Sequence, residues 1–440
     1  MNLKKIVAVF ALVFCSLGMN AQVVNIPDEV FLEYLLLYTN VDTNLDGQIQ
    51  VSEAEAYTGT INVFNSKTKD LTGLQAFKNI TELQISKTSI SSLDISNNTK
   101  LKVLLASSTQ LDKIDVSKNT RLTKIEATYN SKLTTVIFGE QNYPSLSSVN
   151  FSYGAITSIN LNKLPNVTDI SLLSNNLTTV DVSHNGRLAT LSLGSNLLTS
   201  LDVTNNTRLI TLGIGLNKIS SIDITKNTLL DIFNANGNPL TTLDVSKNIY
   251  LQQLLLEYTK LESIDISKLE LLRYFYVNGT DLQTIDASKN IGMIGLQASY
   301  CPQLTMVNMK NGYNTNMSLC VTTNDPKLTC ILVDDPAYSS TAFLWEKDST
   351  AAYTTNCQLL SMSDSKLDSN VMVYPNPTSA ILNINEEAYS VTLTNYAGQI
   401  VKNLSNVKHI DISNLPIGTY IVKIQRKPNG SYITKKVIKK

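Results

Sequence analysis

A four-residue phrase, in which Asp lies between two apolar residues and is followed by Ser or Thr, recurs along the middle of the chain, mostly every 21 residues. Its copies begin at Leu93, Ile114, Val180, Leu201, Ile222, Leu243, Ile264 and Ile285. A second phrase in each unit alternates apolar and polar residues, as in Leu191-Ser-Leu193. Such alternation is typical of short strands, so each unit is predicted to contain two. A coil of this size cannot bury its own apolar side, and stacking into a solenoid of about ten turns is expected.

Asparagine recurs at a fixed offset after the Asp phrase, where each coil must turn. The stretch from Leu188 to Asn206 reads Leu-x-x-Leu-x-Leu-x-x-Asn-x-Leu-x-x-Leu-Asp-Val-x-x-Asn. It resembles the 21-residue bacterial variant of the leucine-rich repeat family, and the resemblance covers about residues 70–310. It implies a mainly β fold built on a leucine-rich repeat solenoid. Val136-Ile-Phe138 lacks the Asp, so a bend or bulge is expected there, and Leu269 replaces one Asn.

The N-terminus reads as a secretory signal over residues 1–21. Lys4 and Lys5 precede an apolar run, and Met19-Asn20-Ala21 provides a small-residue exit. The apolar run is too short to span a bilayer, and no later stretch reaches the length that a spanning helix needs. A secreted chain without a transmembrane segment after processing is therefore predicted.

Residues 22–69 are predicted to form a small helical cap that contains a calcium loop. The twelve residues from Asp42 to Glu53 match the EF-hand loop at its diagnostic positions, with Gly47 at the sharp turn. The predicted ligands are Asp42, Asn44, Asp46, the backbone carbonyl of Gln48, and Glu53. Only one such loop is present, which favours a structural Ca2+ ion over a switch.

The repeat pattern fades after residue 310, and residues 311–360 are predicted to form an irregular C-terminal cap, followed by a linker at 361–370. Residues 371–440 have strand-like alternation, which indicates a small β-sandwich. They begin with Tyr374-Pro-Asn-Pro377, continue with Leu415-Pro-Ile-Gly-Thr-Tyr420 and end in a lysine-rich segment. These phrases resemble the type A C-terminal sorting domain of the type IX (Por) secretion system. The resemblance implies recognition by that machinery and a location in the medium or on the outer cell surface.

Four cysteines follow the signal segment: Cys301, Cys320, Cys330 and Cys357. Four cysteines allow three sets of pairs, and spacing alone does not choose among them. A disulfide between Cys330 and Cys357 is favoured because both lie outside the periodic region. The pairing of Cys301 and Cys320 stays open.

The repeated Asp forms a column that faces outward on the predicted solenoid. One interpretation is a set of catalytic carboxylates, as in a β-helical polysaccharide lyase or hydrolase. The other is a solvated polar ladder, since neighbouring carboxylates about 4.8 Å apart repel by only about 0.9 kcal/mol in water. Catalytic residues interrupt a repeat whereas these follow it, and the structural interpretation is preferred.

The alternating phrase varies at its outward positions, where a repeat protein can encode specificity. The candidate binding residues are Leu255, Tyr258, Tyr274, Tyr276 and Tyr300, with Tyr129 and Tyr153 at the same coil offset as Tyr258. Exposed tyrosines on adjacent coils are suited to a sugar ring or to a protein partner.

Composition narrows the functional classes. Equal numbers of basic and acidic residues, 36 each, give no field that would attract nucleic acid. Only His184 and His409 are present, and no nucleophile and base can be combined in the solenoid. The sequence therefore predicts a secreted, non-enzymatic binding protein for protein or glycan, acting in adhesion or partner recognition. A polysaccharide lyase or hydrolase and a structural surface-coat protein are the alternatives.

Overall fold

A computed structural model describes residues 22–357, 371–395, 398–425 and 432–440. The predicted signal segment, 1–21, and the predicted linker, 361–370, lie outside these residues. The chain divides into two compact units, residues 1–360 and 361–440.

The first unit is a solenoid with a 14-stranded parallel sheet along one side. Its strands are three or four residues long, and the central residue of nearly every one points inward and is buried. The strands are Thr60–Asn62, Glu82–Gln84, Val103–Leu105, Lys124–Glu126, Ser148–Asn150, Asp169–Ser171, Thr190–Ser192, Thr211–Gly213, Ile232–Asn234, Gln253–Leu255, Tyr274–Tyr276, Gly295–Gln297, Leu319–Thr322 and Trp345–Lys347. The leucine-rich repeat fold predicted from the sequence is confirmed, although the solenoid has more than the ten expected turns.

The segment from 311 to 357 does not form the predicted irregular cap. It contributes the last two strands of the main sheet, because Gly295 pairs with Leu319 and Cys320 with Trp345 in register. These coils are 24 and 25 residues long, so a 21-residue pattern does not detect them. The segment also contains helix Pro336–Thr341 and the short 3-10 helix Asn314–Asn316.

The second strand predicted in every coil is wrong for most of the solenoid. The Asp phrase pairs with its neighbour only near the two ends of the repeat region, in a pair of strands and in a four-stranded sheet. These strands are Lys113–Asp115, Thr135–Ile137, Thr284–Asp286, Met306–Asn308, Cys330–Leu332 and Ala352–Thr354. All of them join coils that are 22 or 24 residues apart, so the longer coils bring this side of the solenoid together.

Asparagine side chains tie the coils together from the inside. Asn206, which is fully buried, donates from Nδ2 to the carbonyls of Val182 at 2.9 Å and Asn185 at 3.0 Å in the preceding coil. The same arrangement is found at Asn98, Asn119, Asn185, Asn227, Asn248 and Asn290. The amide therefore satisfies carbonyls that a coil without regular structure would leave buried and unpaired. Leu269 fills the one gap in this series with a buried apolar side chain.

The irregular coil around Val136 is filled by an aromatic residue. Tyr143 is fully buried, and its hydroxyl donates to the carbonyl of Val116 at 2.7 Å and accepts from the backbone N–H of Gly139 at 3.0 Å. Its ring makes an edge contact with Phe138 at 5.3 Å between centroids. The longer coil therefore contains a bulge that is packed by Tyr143.

Two helices, Glu29–Tyr38 and Val51–Ala56, and the 3-10 helix Leu74–Ala76 cover the first coils. Phe31 and Leu35 of the first helix are buried in the same core as the coils. The Asp28 side chain caps this helix by accepting from the backbone N–H of Phe31, and its other oxygen accepts from Lys69. The small helical cap is thus continuous with the solenoid.

The second unit folds as one five-stranded antiparallel sheet with its own apolar core. The strands are Val373–Tyr374, Ile381–Asn395, Ile400–Asp411, Gly418–Gln425 and Tyr432–Lys439. The long strand Ile381–Asn395 pairs with three of the others, so the small β-domain predicted here is one continuous sheet. Within the described parts of the chain, no helix has the length and apolar character needed to cross a membrane.

Candidate functional site: the sheet face of the solenoid

The outward side chains of the sheet form an aromatic patch in its C-terminal half. Tyr274 and Tyr276 lie on one strand with their ring centroids 6.1 Å apart and their planes at 67°. Leu255 is paired with Tyr276 on the preceding strand, and all three side chains are half-buried. The structure thus brings three of the five predicted binding residues together on adjacent strands.

The other two predicted residues, Tyr258 and Tyr300, lie where the backbone leaves the sheet. Both have a positive φ, as do Leu216, Tyr129 and Tyr153 at the same coil position. Their exposed fractions are 65% for Tyr258 and 60% for Tyr300. Gly237 and Gly279 occupy this position in the intervening coils. A Cβ on Gly279 would lie 2.6 Å from Cδ1 of Tyr258, so this glycine lets the ring lie against the next coil.

A row of polar side chains runs between these two groups of tyrosines. The Glu257 carboxylate accepts one hydrogen bond from the Asn236 amide and one from the Asn278 amide, both at 2.8 Å. Asn278 also donates to Gln297 at 3.1 Å. Burial raises the pKa of Tyr276, and the nearby Tyr274 and Glu257 charges add to this shift. The sequence analysis missed this row, although its residues recur at the 21-residue interval.

Tyr129 and Tyr153 form a separate stacked pair, with centroids 4.4 Å apart and planes at 4°. They lie several coils away from Tyr258, next to charged outward residues such as Lys124 and Glu126, which form an ion pair at 2.7 Å. The seven tyrosine and leucine candidates therefore fall into two groups.

The Asp column is part of a backbone turn. In each phrase the Asp Oδ1 accepts from the backbone N–H two residues later, as from Thr204 to Asp202 at 2.9 Å. The hydroxyl of Thr204 donates to the same oxygen at 2.7 Å. These hydrogen bonds hold the pKa of Asp202 below its usual value, and the same cause lowers the pKa of Asp181, Asp223, Asp244 and Asp265. A glycosidase acid needs a raised pKa, so this column has the electrostatics of a structural turn.

The calcium loop has its predicted residues in place, but its carboxylates do not converge. Among the described residues, no group of three or more His, Cys, Asp or Glu side chains is arranged to hold a metal. Glu53 Oε1 accepts from the backbone and hydroxyl of Thr43, each at 2.7 Å, and Oε2 accepts from Gln50 at 3.0 Å. Burial raises the pKa of Glu53, but these hydrogen bonds outweigh it and lower the pKa overall.

The first position of this loop nevertheless fits a cation. Asp42 Oδ2 accepts from the backbone N–H of Gly47 at 3.0 Å, whereas Oδ1 is buried and has no hydrogen-bond partner. Asn44 Oδ1 and Asp46 Oδ1 accept only from nearby backbone groups of the loop. The donor set is therefore all oxygen, as Ca2+ requires, and Glu53 would have to leave Thr43 to join it.

Cys330 and Cys357, the pair favoured from the sequence, form a disulfide bond with their Cα atoms 5.7 Å apart. It joins the strand Cys330–Leu332 to the end of the last described coil. Cys301 and Cys320 are buried thiols. Burial raises the pKa of Cys320 to about 12, which makes this thiol unreactive at neutral pH.

In the second unit, the three sequence phrases at residues 374–377, 415–420 and 435–440 meet. The Asn376 side chain donates to the carbonyl of Lys436 and accepts from the N–H of Ile438. The buried Lys439 ammonium donates to the carbonyls of Ser413 and Leu415. The phrases are thus joined by hydrogen bonds around the last strand.

Comparison with known proteins identifies this unit. The family model of a secretion system C-terminal sorting domain matches residues 372–440. No curated protein sequence matches the chain.

The solenoid is similar to solved internalin structures of Listeria monocytogenes. The functional domain of InlJ is 20% identical with a TM-score of 0.63, and the match covers 96% of this chain and 100% of that one. The internalin InlF is 16% identical with a TM-score of 0.54, and the match covers 74% of this chain and 95% of that one. At these identities the similarity establishes the fold. The chain thus joins a leucine-rich repeat solenoid to a C-terminal sorting domain of the type IX (Por) kind, which implies a secreted or outer-surface location.

Proposed function

We propose that the protein is a non-enzymatic binding protein that acts outside the cell, in adhesion or partner recognition, through the C-terminal half of its sheet face. The observation that carries the proposal is the group of half-buried and exposed apolar side chains at outward positions there: Leu255, Tyr258, Tyr274, Tyr276 and Tyr300. A parallel sheet normally has both faces covered, and in this solenoid the outward face is left open. Tyrosines on such a face provide a large contact area with little loss of conformational entropy.

Retention of the fluorescently labelled secreted protein on intact cells and on the polymer matrix around them tests this proposal. Leu255→Ala combined with Tyr276→Ala removes two paired side chains at the centre of the patch, and at least a tenfold loss of retention is expected. Tyr129→Asn combined with Tyr153→Asn is the matched control, since it removes two tyrosines from the other group. Equal retention by the parent and the patch variant would contradict the proposal.

We also propose that the loop from Asp42 to Glu53 binds one Ca2+ ion and stabilises the first coils. The buried, unpartnered Oδ1 of Asp42 supports this proposal. At a free Ca2+ concentration ten times the dissociation constant, binding would stabilise the folded chain by about 1.4 kcal/mol. We expect Ca2+ to raise the melting temperature of the parent and to leave that of Asp42→Ala unchanged. A melting temperature of the parent that is the same in Ca2+ and in chelator would refute it.

A further inference from the structure

The outward positions between Thr190 and Ser299, all of which the structure describes, carry almost no charge. They are Thr190, Ser192, Gly194, Thr211, Gly213, Gly215, Ile232, Asn234, Asn236, Gln253, Leu255, Glu257, Tyr274, Tyr276, Asn278, Gly295, Gln297 and Ser299. Glu257 is the one charged side chain among these positions. By contrast, the outward positions of earlier strands include Glu82, Lys124 and Asp169. A ligand of this half of the face therefore meets amides, hydroxyls and aromatic rings.

The single carboxylate is already satisfied within the protein. Both Glu257 oxygens accept from amides of the neighbouring coils, and the Glu257 backbone N–H donates to Asn236 Oδ1 at 2.8 Å. A cationic partner would have to compete with these bonds. Asn278 is fixed in the same way, because its Oδ1 accepts from the backbone N–H of Ser299 at 2.8 Å. The amide orientations are thus set before any ligand arrives, which reduces the entropy cost of binding.

Aromatic rings lie on both sides of this polar row. Tyr274 and Tyr276 lean over Gly295, since a Cβ there would be 3.1 Å from Cδ1 of Tyr274 and 3.4 Å from the Tyr276 hydroxyl oxygen. On the other side, Tyr258 lies against Gly279. With coils about 4.8 Å apart, the row from Asn236 to Gln297 is about 14 Å long. This length accommodates a few monomer units of a linear polymer laid along the solenoid axis.

We propose that this face binds an uncharged polysaccharide whose chain runs along the row Asn236, Glu257, Asn278 and Gln297. This inference rests on the proposed function and gives the ligand class. Each sugar hydroxyl both donates and accepts, which suits a row in which amide N–H groups alternate with carbonyl and carboxylate oxygens. The C–H bonds on one side of a sugar ring pack against the negative face of an aromatic ring. A charged polymer or a basic protein surface would find no unpaired counter-charge here.

The full-length secreted protein is tested by co-sedimentation with insoluble neutral polysaccharides, namely cellulose, mannan and β-1,3-glucan, and by affinity electrophoresis in soluble xylan and in the anionic polymer alginate. We expect at least one neutral polymer to retain it, with affinity unchanged between about 0.05 and 0.5 M NaCl, because no ion pair is involved. Tyr276→Ala and Tyr258→Asn should each weaken binding about tenfold. Asn is chosen at position 258 because it tolerates the positive φ there.

Two further variants separate binding from folding. Tyr276→Phe keeps the ring and should retain binding, whereas the double variant Tyr129→Asn, Tyr153→Asn should bind as the parent does. Retention of none of the neutral polymers, or binding to alginate that weakens with salt, would overturn the polysaccharide proposal. If the patch variant then still lost its attachment to cells, the proposed function would stand with a protein as the ligand. If attachment were also unchanged, both proposals would fail.

Discussion

Asp325 occupies a buried position at which another coil has an asparagine. Asn130 Oδ1 accepts from the backbone N–H of Thr109 at 2.7 Å, and its Nδ2 donates to the carbonyls of Ala106 and Ala127. Asp325 Oδ1 likewise accepts from the backbone N–H of Cys301 at 2.7 Å. Its Oδ2, which takes the place of the amide nitrogen, is buried and has no partner. An ionised carboxylate lacks the donor that this position requires, so Asp325→Asn should stabilise the protein.

The size of this effect follows from the pKa. Burial raises the pKa of Asp325 from 3.8 to about 7, and the nearby Asp348 carboxylate adds to the shift, while the hydrogen bond from Cys301 opposes it. The folded chain thus keeps a proton that the unfolded chain releases near pH 4. Stability linked to this proton is complete below about pH 4 and is lost as the pH rises to about 7. The loss amounts to about 4 kcal/mol at pH 8.

Urea unfolding of the parent and of Asp325→Asn, followed by circular dichroism at pH 4 and pH 8, measures this effect. The free energy of unfolding of the variant should exceed that of the parent by about 4 kcal/mol at pH 8 and by nearly nothing at pH 4. Asn130→Asp is the reciprocal control and should destabilise the chain more at pH 8 than at pH 4. A difference between Asp325→Asn and the parent that is the same at both pH values would refute the reasoning.

Three other perturbations test the packing of the solenoid. Asn227→Asp should destabilise the chain by about 2–4 kcal/mol at pH 7, and more than Asn227→Leu, because it buries a carboxylate against two carbonyls; equal losses in chemical denaturation would contradict this. Tyr143→Phe should cost about 1–3 kcal/mol, since the carbonyl of Val116 loses its buried donor, and an unchanged unfolding midpoint would disprove it. Removing the disulfide with Cys330→Ser should cost about 3.5 kcal/mol for the 27-residue separation, which a melting temperature equal to that of the parent would exclude.

The solenoid could be predicted from the sequence because the 21-residue interval states the fold almost directly. Inward residues such as Leu191 and Leu212 pair in register exactly one interval apart. The coils at Leu319 and Trp345 escaped prediction because their intervals are longer while their inward residues still match the sheet. The expected second strand failed for a related reason. Alternation shows which residues point inward, whereas backbone pairing depends on the distance between coils.

Side-chain geometry sets the limit for the candidate site. The positions of Tyr258 and Tyr300 along the chain indicate a shared column, but only the backbone shows that a positive φ turns them out of the sheet. Similarly, asparagine was expected to help the chain turn, whereas Asn206 and its equivalents bond to the preceding coil from a fully buried position. Neither the orientation of an amide nor the partner it finds one coil away is encoded in local sequence preference.

The asparagine ladder has a consequence for the length of the solenoid. Each amide bonds only to residues 21 and 24 positions earlier, as Asn206, Asn227 and Asn248 all do. Insertion or deletion of one whole 21-residue unit between Asn185 and Asn248 would therefore restore every bond of the series and leave both ends untouched. Duplication of a unit within the gene could lengthen the molecule by about 4.8 Å per event, at no cost to its internal hydrogen bonding.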